Sequence, residues 1–231
     1  MLVLAIDTAT LAGSAALYQD GLLASCFLHT KKTHSERLLP MIDFLLQSID
    51  LALKDIDLIT VVNGPGSFTG IRIGVTTAKT LAQMLHKPLA AVNTLEVLAA
   101  NIASEKDLIC PVLDARKKEV YTACYKRDEH GELLELLPPA ALPVQKLLEF
   151  LQDRDEDIWF VGDGLGVYGE ELGAALGGRF KTAPDHLKLP NAAAAAELGL
   201  KTWHKGLQQD TVEPLYLRRS EAELAWEKKH G

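Results

Sequence analysis

Cysteine is scarce in this chain. Only Cys26, Cys110 and Cys124 occur, an odd number without a C-x-x-C spacing, which argues against a disulfide framework and a zinc ribbon. Each lies in an apolar or β-like run, so the three read as buried free thiols in a reducing compartment. Positive charge is also short: 24 Lys and Arg stand against 31 Asp and Glu, for a net charge of −7. Phosphate neutralisation supplies most nucleic-acid affinity, so an acidic chain is a poor independent binder of RNA or DNA. The basic clusters Lys31-Lys32, Arg116-Lys117-Lys118, Arg218-Arg219 and Lys228-Lys229-His230 read as solvated patches. No apolar run approaches the roughly 20 residues of a membrane span. The start, Met1-Leu2-Val3-Leu4-Ala5-Ile6-Asp7, lacks a basic leader and reads as a strand, not a signal peptide. A cytoplasmic location is expected, with no membrane partner.

Catalytic signatures are equally thin. None of the seven histidines forms H-E-x-x-H or an i, i+4 pair, so no metal site is expected. No G-x-S-x-G elbow occurs, because Thr69 stands where the second glycine is required after Ser67. Residues 64–74 match neither the phosphate loop G-x-x-x-x-G-K-[ST] nor G-x-G-x-x-G. A glycine turn opening onto a helix start still has the physical basis of an anion site, and Ser67 or Thr69 equally serves as a plain cap.

What is present is an ordinary globular composition, 231 residues and 48% apolar, enough for one large domain or two small ones packed together. Leu2–Ile6, Ala12–Leu17 and Leu22–Leu28 read as a three-stranded meander with hairpin chemistry at Gln19-Asp20-Gly21. Thr33 and Glu36 form a capping box ahead of a helix to about Ser48, with a kink expected at Pro40. On that helix Leu38, Leu39, Met41, Ile42, Leu45, Leu46 and Ile49 span roughly 160°, with Phe44 outside the arc, beyond the ~100° that one sheet requires. Strands at 57–62, 89–92, 107–113, 119–125 and 158–161 alternate with helices at about 69–86, 94–104, 144–152, 168–176 and 192–205. Pro138-Pro139 reads as a break, and the charged tail from Leu224 as frayed. The alternation implies helices covering mixed sheets.

Two features invite function. Gly70, Gly74, Ala78 and Ala82 fall on one line of the second helix, and each interior glycine costs about 1 kcal/mol relative to Ala. Such a stripe implies a close contact, either internal or with another protein. Asp7, Asp114 and Asp163 each follow an apolar strand. They read either as turn caps or as carboxylates lining a cleft for a metal–nucleotide complex.

The blocks Ala5-Ile6-Asp7-Thr8-Ala9-Thr10, His34-Ser35-Glu36-Arg37-Leu38-Leu39-Pro40, Asn63 to Gly74, Leu113-Asp114-Ala115-Arg116 and Glu213 to Arg218 together resemble the TsaB (YeaZ) family. The match runs along the whole chain, and Gly64-Pro65-Gly66-Ser67-Phe68-Thr69-Gly70 is its most specific part. The resemblance implies an α/β actin-like (ASKHA, ribonuclease H-like) fold of two lobes with mixed sheets, divided here as 1–105, with part of the C-terminal helix region packing back, and 106–231. It also implies a non-catalytic scaffold in threonylcarbamoylation of adenosine in ANN-decoding tRNAs. Its implied partners are TsaD and TsaE, with a homodimer when alone and tRNA reached through the complex. ATP is then used by the complex rather than bound by this chain alone. The implied interface maps onto the first two helices, at His34, Leu38, Leu39, Ile42, Leu45, Leu46, Gly70, Ile73, Gly74, Thr77 and Ala78. Side chains at Asp7-Thr8-Ala9-Thr10, where nucleotide-binding relatives carry glycine, imply a degenerate nucleotide cleft. Asp7, Thr8, Asp114, Asp163 and Gly164 are its remaining candidates. Rival readings are a nucleotide-dependent ATPase or kinase and, further off, a glycoprotease-like metallopeptidase.

Overall fold

The computed structural model describes residues 1–30, 32–207 and 211–218. The meander forms as the alternating and buried runs require: β1 (Val3–Asp7), β2 (Ala12–Tyr18) and β3 (Leu22–His29). Asp20, with a φ of 54°, and Gly21 make the β2–β3 turn. A helix, α1 (His34–Ser48), follows. Glu36 Oε2 accepts from the Thr33 N–H at 3.0 Å and from its hydroxyl at 2.7 Å. Pro40 does not divide α1, which is one continuous element.

Next come β4 (Leu58–Val62), α2 (Phe68–Leu85), β5 (Leu89–Val92) and α3 (Thr94–Ala100). The second half repeats the series with β6 (Leu108–Asp114), β7 (Glu119–Arg127), β8 (Leu133–Pro143), α4 (Val144–Gln152), β9 (Ile158–Val161), α5 (Leu165–Leu176), β10 (Phe180–Thr182) and α6 (Ala192–His204). Two expectations change here. Pro138 and Pro139 do not break the chain; they lie inside β8, an edge strand whose outer side needs no N–H donors. The short β10 had no periodic signal to announce it.

The two sheets share one topology. The first is ordered β3-β2-β1-β4-β5 and the second β10-β9-β6-β7-β8. In each, a meander runs antiparallel, one later strand joins its first strand in parallel, and the next adds in parallel to that one. β1 and β6 are therefore equivalent central strands, and Asp7 and Asp114 end them at matching points.

The closing helices are exchanged between the halves. Gly199 of α6 lies against Thr60 of β4, whereas Gly74 of α2 faces Val61. Neighbouring strand residues point to opposite faces, so α2 and α6 cover the two faces of the first sheet. Conversely, Leu95, Leu98 and Ala99 of α3 pack with Ile109, Leu113 and Val161 of the second sheet. A cut at residue 105 leaves α3 with the first lobe, while its packing lies with the second.

Candidate functional site

The ends of β1 and β6 face each other across a cleft of about 800 Å³ between the lobes. Of the five expected nucleotide-cleft residues, only Asp114 and Asp163 line it. Asp7 is fully buried. Its Oδ1 accepts the Ala9 N–H at 2.9 Å, and Oδ2 has no partner among the described residues. Burial pushes its carboxyl up to about 7, since an apolar interior penalises the charged form. Thr8 is buried too, and Gly164 packs against Val112.

The 64–70 turn closes over the β1–β2 loop. The Ser67 N–H donates to the Ala9 carbonyl at 2.7 Å. The Thr8 hydroxyl donates to the Gly70 carbonyl at 2.7 Å. A Cβ on Gly66 or Gly70 would overlap the carbonyl of Ala9 or Thr8. Ser67 is the cap of α2, accepting from the Gly70 N–H at 3.2 Å. Two of the turn's N–H groups, those of Ser67 and Gly70, are thus engaged within the protein.

Asp114 and Asp163 serve turns. Asp114 Oδ1 accepts the Arg116 N–H at 2.8 Å, and Asp163 Oδ1 accepts the Asp114 N–H at 3.4 Å. Burial raises the Asp163 carboxyl above its ordinary range. Between them the β6–β7 turn holds Arg116, Lys117 and Lys118 at φ values of 64°, 55° and 64°, a run of left-handed conformations that L-residues resist.

Residues 211–218 strap the two lobes together. Asn63 Nδ2 donates to the Glu213 carbonyl at 3.1 Å, and the Leu215 N–H donates to the Asn63 carbonyl at 2.7 Å. Tyr216 stacks on Phe68 with centroids 5.0 Å apart, and the Arg72 guanidinium lies 3.8 Å from the Phe68 centroid. Arg218 then reaches the second lobe, donating to the Ala115 carbonyl at 3.0 Å and pairing with Glu119 at 3.4 Å. The Glu213–Arg218 and Leu113–Arg116 blocks, distant in sequence, therefore meet.

A second concavity, of about 500 Å³, lies between α1 and α2; Ser35, Leu39, Phe68, Arg72, Ile73 and Thr77 are among the residues lining it. Of the expected interface residues, Leu38, Leu39, Ile73 and Thr77 line it. Leu39 is 56% exposed, and Ile73 and Thr77 are half-buried in the groove. Leu38, Ile42, Leu45, Leu46 and Ala78 are buried in the first lobe's own core. Gly70 and Gly74 face Thr8. Gly70 and Gly74 of the stripe serve an internal close approach, and α1 buries Leu38, Met41, Ile42, Leu45 and Leu46 in its lobe while Leu39 of its apolar arc stays exposed. His34 belongs to the cleft. Its Nε2 hydrogen-bonds the Thr10 carbonyl at 2.8 Å, its Nδ1 lies 3.0 Å from Arg37 Nη2, and burial holds its pKa below the usual range. Phe68 and Arg72 of the groove were missed; no periodicity marks an aromatic paired with an arginine and a distant tyrosine.

Two lobes of one topology, closing helices exchanged, with a cleft between the ends of their central strands, define an actin-like (ASKHA) protein. The family model for TsaD, tRNA N6-adenosine threonylcarbamoyltransferase, matches residues 28–226. The chain is 38% identical to the tRNA threonylcarbamoyladenosine biosynthesis protein TsaB of Bacillus subtilis, over 98% of both chains. It is 34% identical to that of Escherichia coli, over 100% of this chain and 99% of the other. YeaZ from Pseudomonas aeruginosa superposes with a TM-score of 0.78 at 32% identity, covering 94% of this chain and 99% of that one. The chain belongs to the TsaB family. Among the described residues no helix is long and apolar enough to cross a membrane.

Proposed function

We propose that this chain acts in threonylcarbamoyladenosine formation on tRNA as a non-catalytic, cytoplasmic scaffold. In this reading it docks TsaD through the groove between α1 and α2, recruits TsaE, and reaches tRNA through the complex; ATP is consumed by the complex and not bound by this chain alone. One observation supports the reading: the 64–70 turn is hydrogen-bonded to the β1–β2 loop, while an apolar groove stands open beside it. Without TsaD the same groove serves a homodimer.

The test is a titration of the isolated chain with its cognate TsaD by calorimetry, alongside saturation-transfer NMR with Mg-ATP. Binding of TsaD and no transfer from ATP is the expected pair of results. The alternative, a nucleotide-dependent ATPase or kinase, has Asp114 and Asp163 at the cleft in its favour. It requires transfer from ATP that is lost in Asp114→Asn. No binding of TsaD at tens of micromolar would remove the scaffold reading.

A further inference from the structure

The fold brings together basic clusters that are far apart in the chain. Lys32, just before α1, and Arg116, just after β6, both line the cleft between the lobes. Arg218 of the strap donates to the Ala115 carbonyl beside Arg116. Three of the four basic clusters in the sequence therefore meet at one rim; the fourth, Lys228-Lys229-His230, lies outside the described residues. Lys117 and Lys118 continue the β6–β7 turn, and Lys32, Arg116, Lys117 and Lys118 are all exposed. In a chain of net charge −7, this rim is a local gathering of cations.

The carboxylates around it are committed elsewhere. Asp114 takes the Arg116 N–H and Asp163 the Asp114 N–H. Glu119 pairs with Arg218. Glu36 takes the N–H and the hydroxyl of Thr33. Among the described residues, Lys32, Arg116 and Lys118 form no ion pair with any carboxylate. The turn also holds its cations against their conformational preference, since residues 116–118 are all left-handed. Glycine and asparagine adopt that conformation readily, whereas arginine and lysine resist it. Strain of this kind collects at functional sites. A turn built for stability alone would carry Asn or Gly here.

We propose that this rim binds the phosphate backbone of RNA, with Lys32, Arg116, Lys117 and Lys118 as the contacting side chains and Arg218 as a positioning residue that fixes the turn. Exposed cations on both sides of a cleft suit a polyanion lying across it. Protein interfaces, by contrast, are depleted in lysine. The cleft shares Phe68, Thr69 and Ile73 with the groove between α1 and α2, so an RNA carried by a protein in that groove passes next to the rim. That this RNA is the tRNA held on TsaD rests on the scaffold role proposed above; the phosphate contact itself rests on the rim. The acidic remainder of the chain keeps the contact weak in isolation.

The test compares two double variants that each remove two positive charges. One is Arg116→Asn with Lys118→Asn, which spares the left-handed turn because asparagine accepts it. The other is Lys54→Gln with Lys146→Gln, at positions outside the cleft. Binding to a tRNA transcript is measured over a series of salt concentrations, both for the complex with TsaD and for the isolated chain at low salt. The rim variant is expected to bind RNA about tenfold more weakly, with a salt slope shallower by about 1–2. Its melting temperature is expected to equal or exceed that of the wild type. The other variant is expected to keep wild-type RNA affinity and slope, and both to keep wild-type affinity for TsaD. Equal RNA binding by the two variants, in the complex and in the isolated chain, would overturn the proposal. So would a rim variant that loses TsaD and keeps RNA, which makes the rim a protein contact. If the wild-type chain does not bind TsaD, the scaffold role falls, and the comparison on the isolated chain decides the RNA contact.

Discussion

The Thr8 hydroxyl and the Gly70 carbonyl share a 2.7 Å hydrogen bond in a place where neither residue is exposed. That bond seals the loop after the first strand against the start of α2. It makes the glycines of α2 part of the lobe's interior, and several measurable consequences depend on it.

Gly74→Leu is expected to destabilise the monomer. A Cβ at position 74 already overlaps the Thr8 hydroxyl, and a leucine adds a whole side chain to a filled space. Overpacking of this kind costs about 1–3 kcal/mol, and more when backbone must move. Urea unfolding measures it. Undiminished stability would mean that this helix face is open after all.

Leu39→Asp and Leu38→Asp separate docking from folding. Both line the groove, but Leu39 is 56% exposed there whereas Leu38 is 2% exposed and packs into the core. The first variant is expected to keep the wild-type melting curve and to lose at least about 2 kcal/mol of TsaD binding. The second is expected to unfold, because it buries an unpaired charge. Calorimetry and circular dichroism on both variants distinguish the outcomes.

Asp7 gives the fold a pH dependence. An unfolded aspartate ionises near 3.9, whereas the buried Asp7 keeps its proton up to about pH 7. Between those values the folded chain binds a proton that the unfolded chain has lost. Its contribution to stability therefore falls as pH rises from about 4 to about 7 and is level above that. Asp7→Asn removes the effect. Relative to wild type the variant is expected to gain up to about 4 kcal/mol across that window, and to differ little at pH 4. Denaturation curves at pH 4.5 and pH 8 test this; a gap that does not change between them contradicts it.

Arg218→Met is expected to loosen the β6–β7 turn without unfolding the lobes. Arg218 holds the Ala115 carbonyl and Glu119, and the turn's left-handed residues resist their conformation. Amide exchange at residues 115–119 should accelerate severalfold, by an amount matching the roughly 1 kcal/mol of a hydrogen bond, while α1 amides stay as they were.

Much of this architecture was legible in the sequence, and the rest was hidden for physical reasons. Buried strands such as Leu58–Val62 and the Thr33–Glu36 box announce themselves through local pattern. The shared topology of the halves does not, because only the placement of Asp7 and Asp114 recurs. Spacing placed Gly70 and Gly74 on one helix line but did not say what lay opposite; that contact comes from a loop some 60 residues earlier. The same limit applies to α1. A wide apolar arc looks alike whether the second surface is another protein or the helix's own lobe. Pro138 and Pro139 misled because a proline that breaks a central strand is harmless on an edge.

The exchange of closing helices has a consequence for synthesis on the ribosome. α6 covers a face of the first sheet, yet the last strand of that sheet ends at Val92 and α6 begins at Ala192. At about 5–20 residues per second, the first lobe waits roughly 5–20 seconds with one apolar face bare. The first lobe therefore completes its packing only after the second has been synthesised. Until α6 emerges, that face of β1, β2 and β4 lacks its cover, and a truncation before residue 192 would leave it exposed permanently.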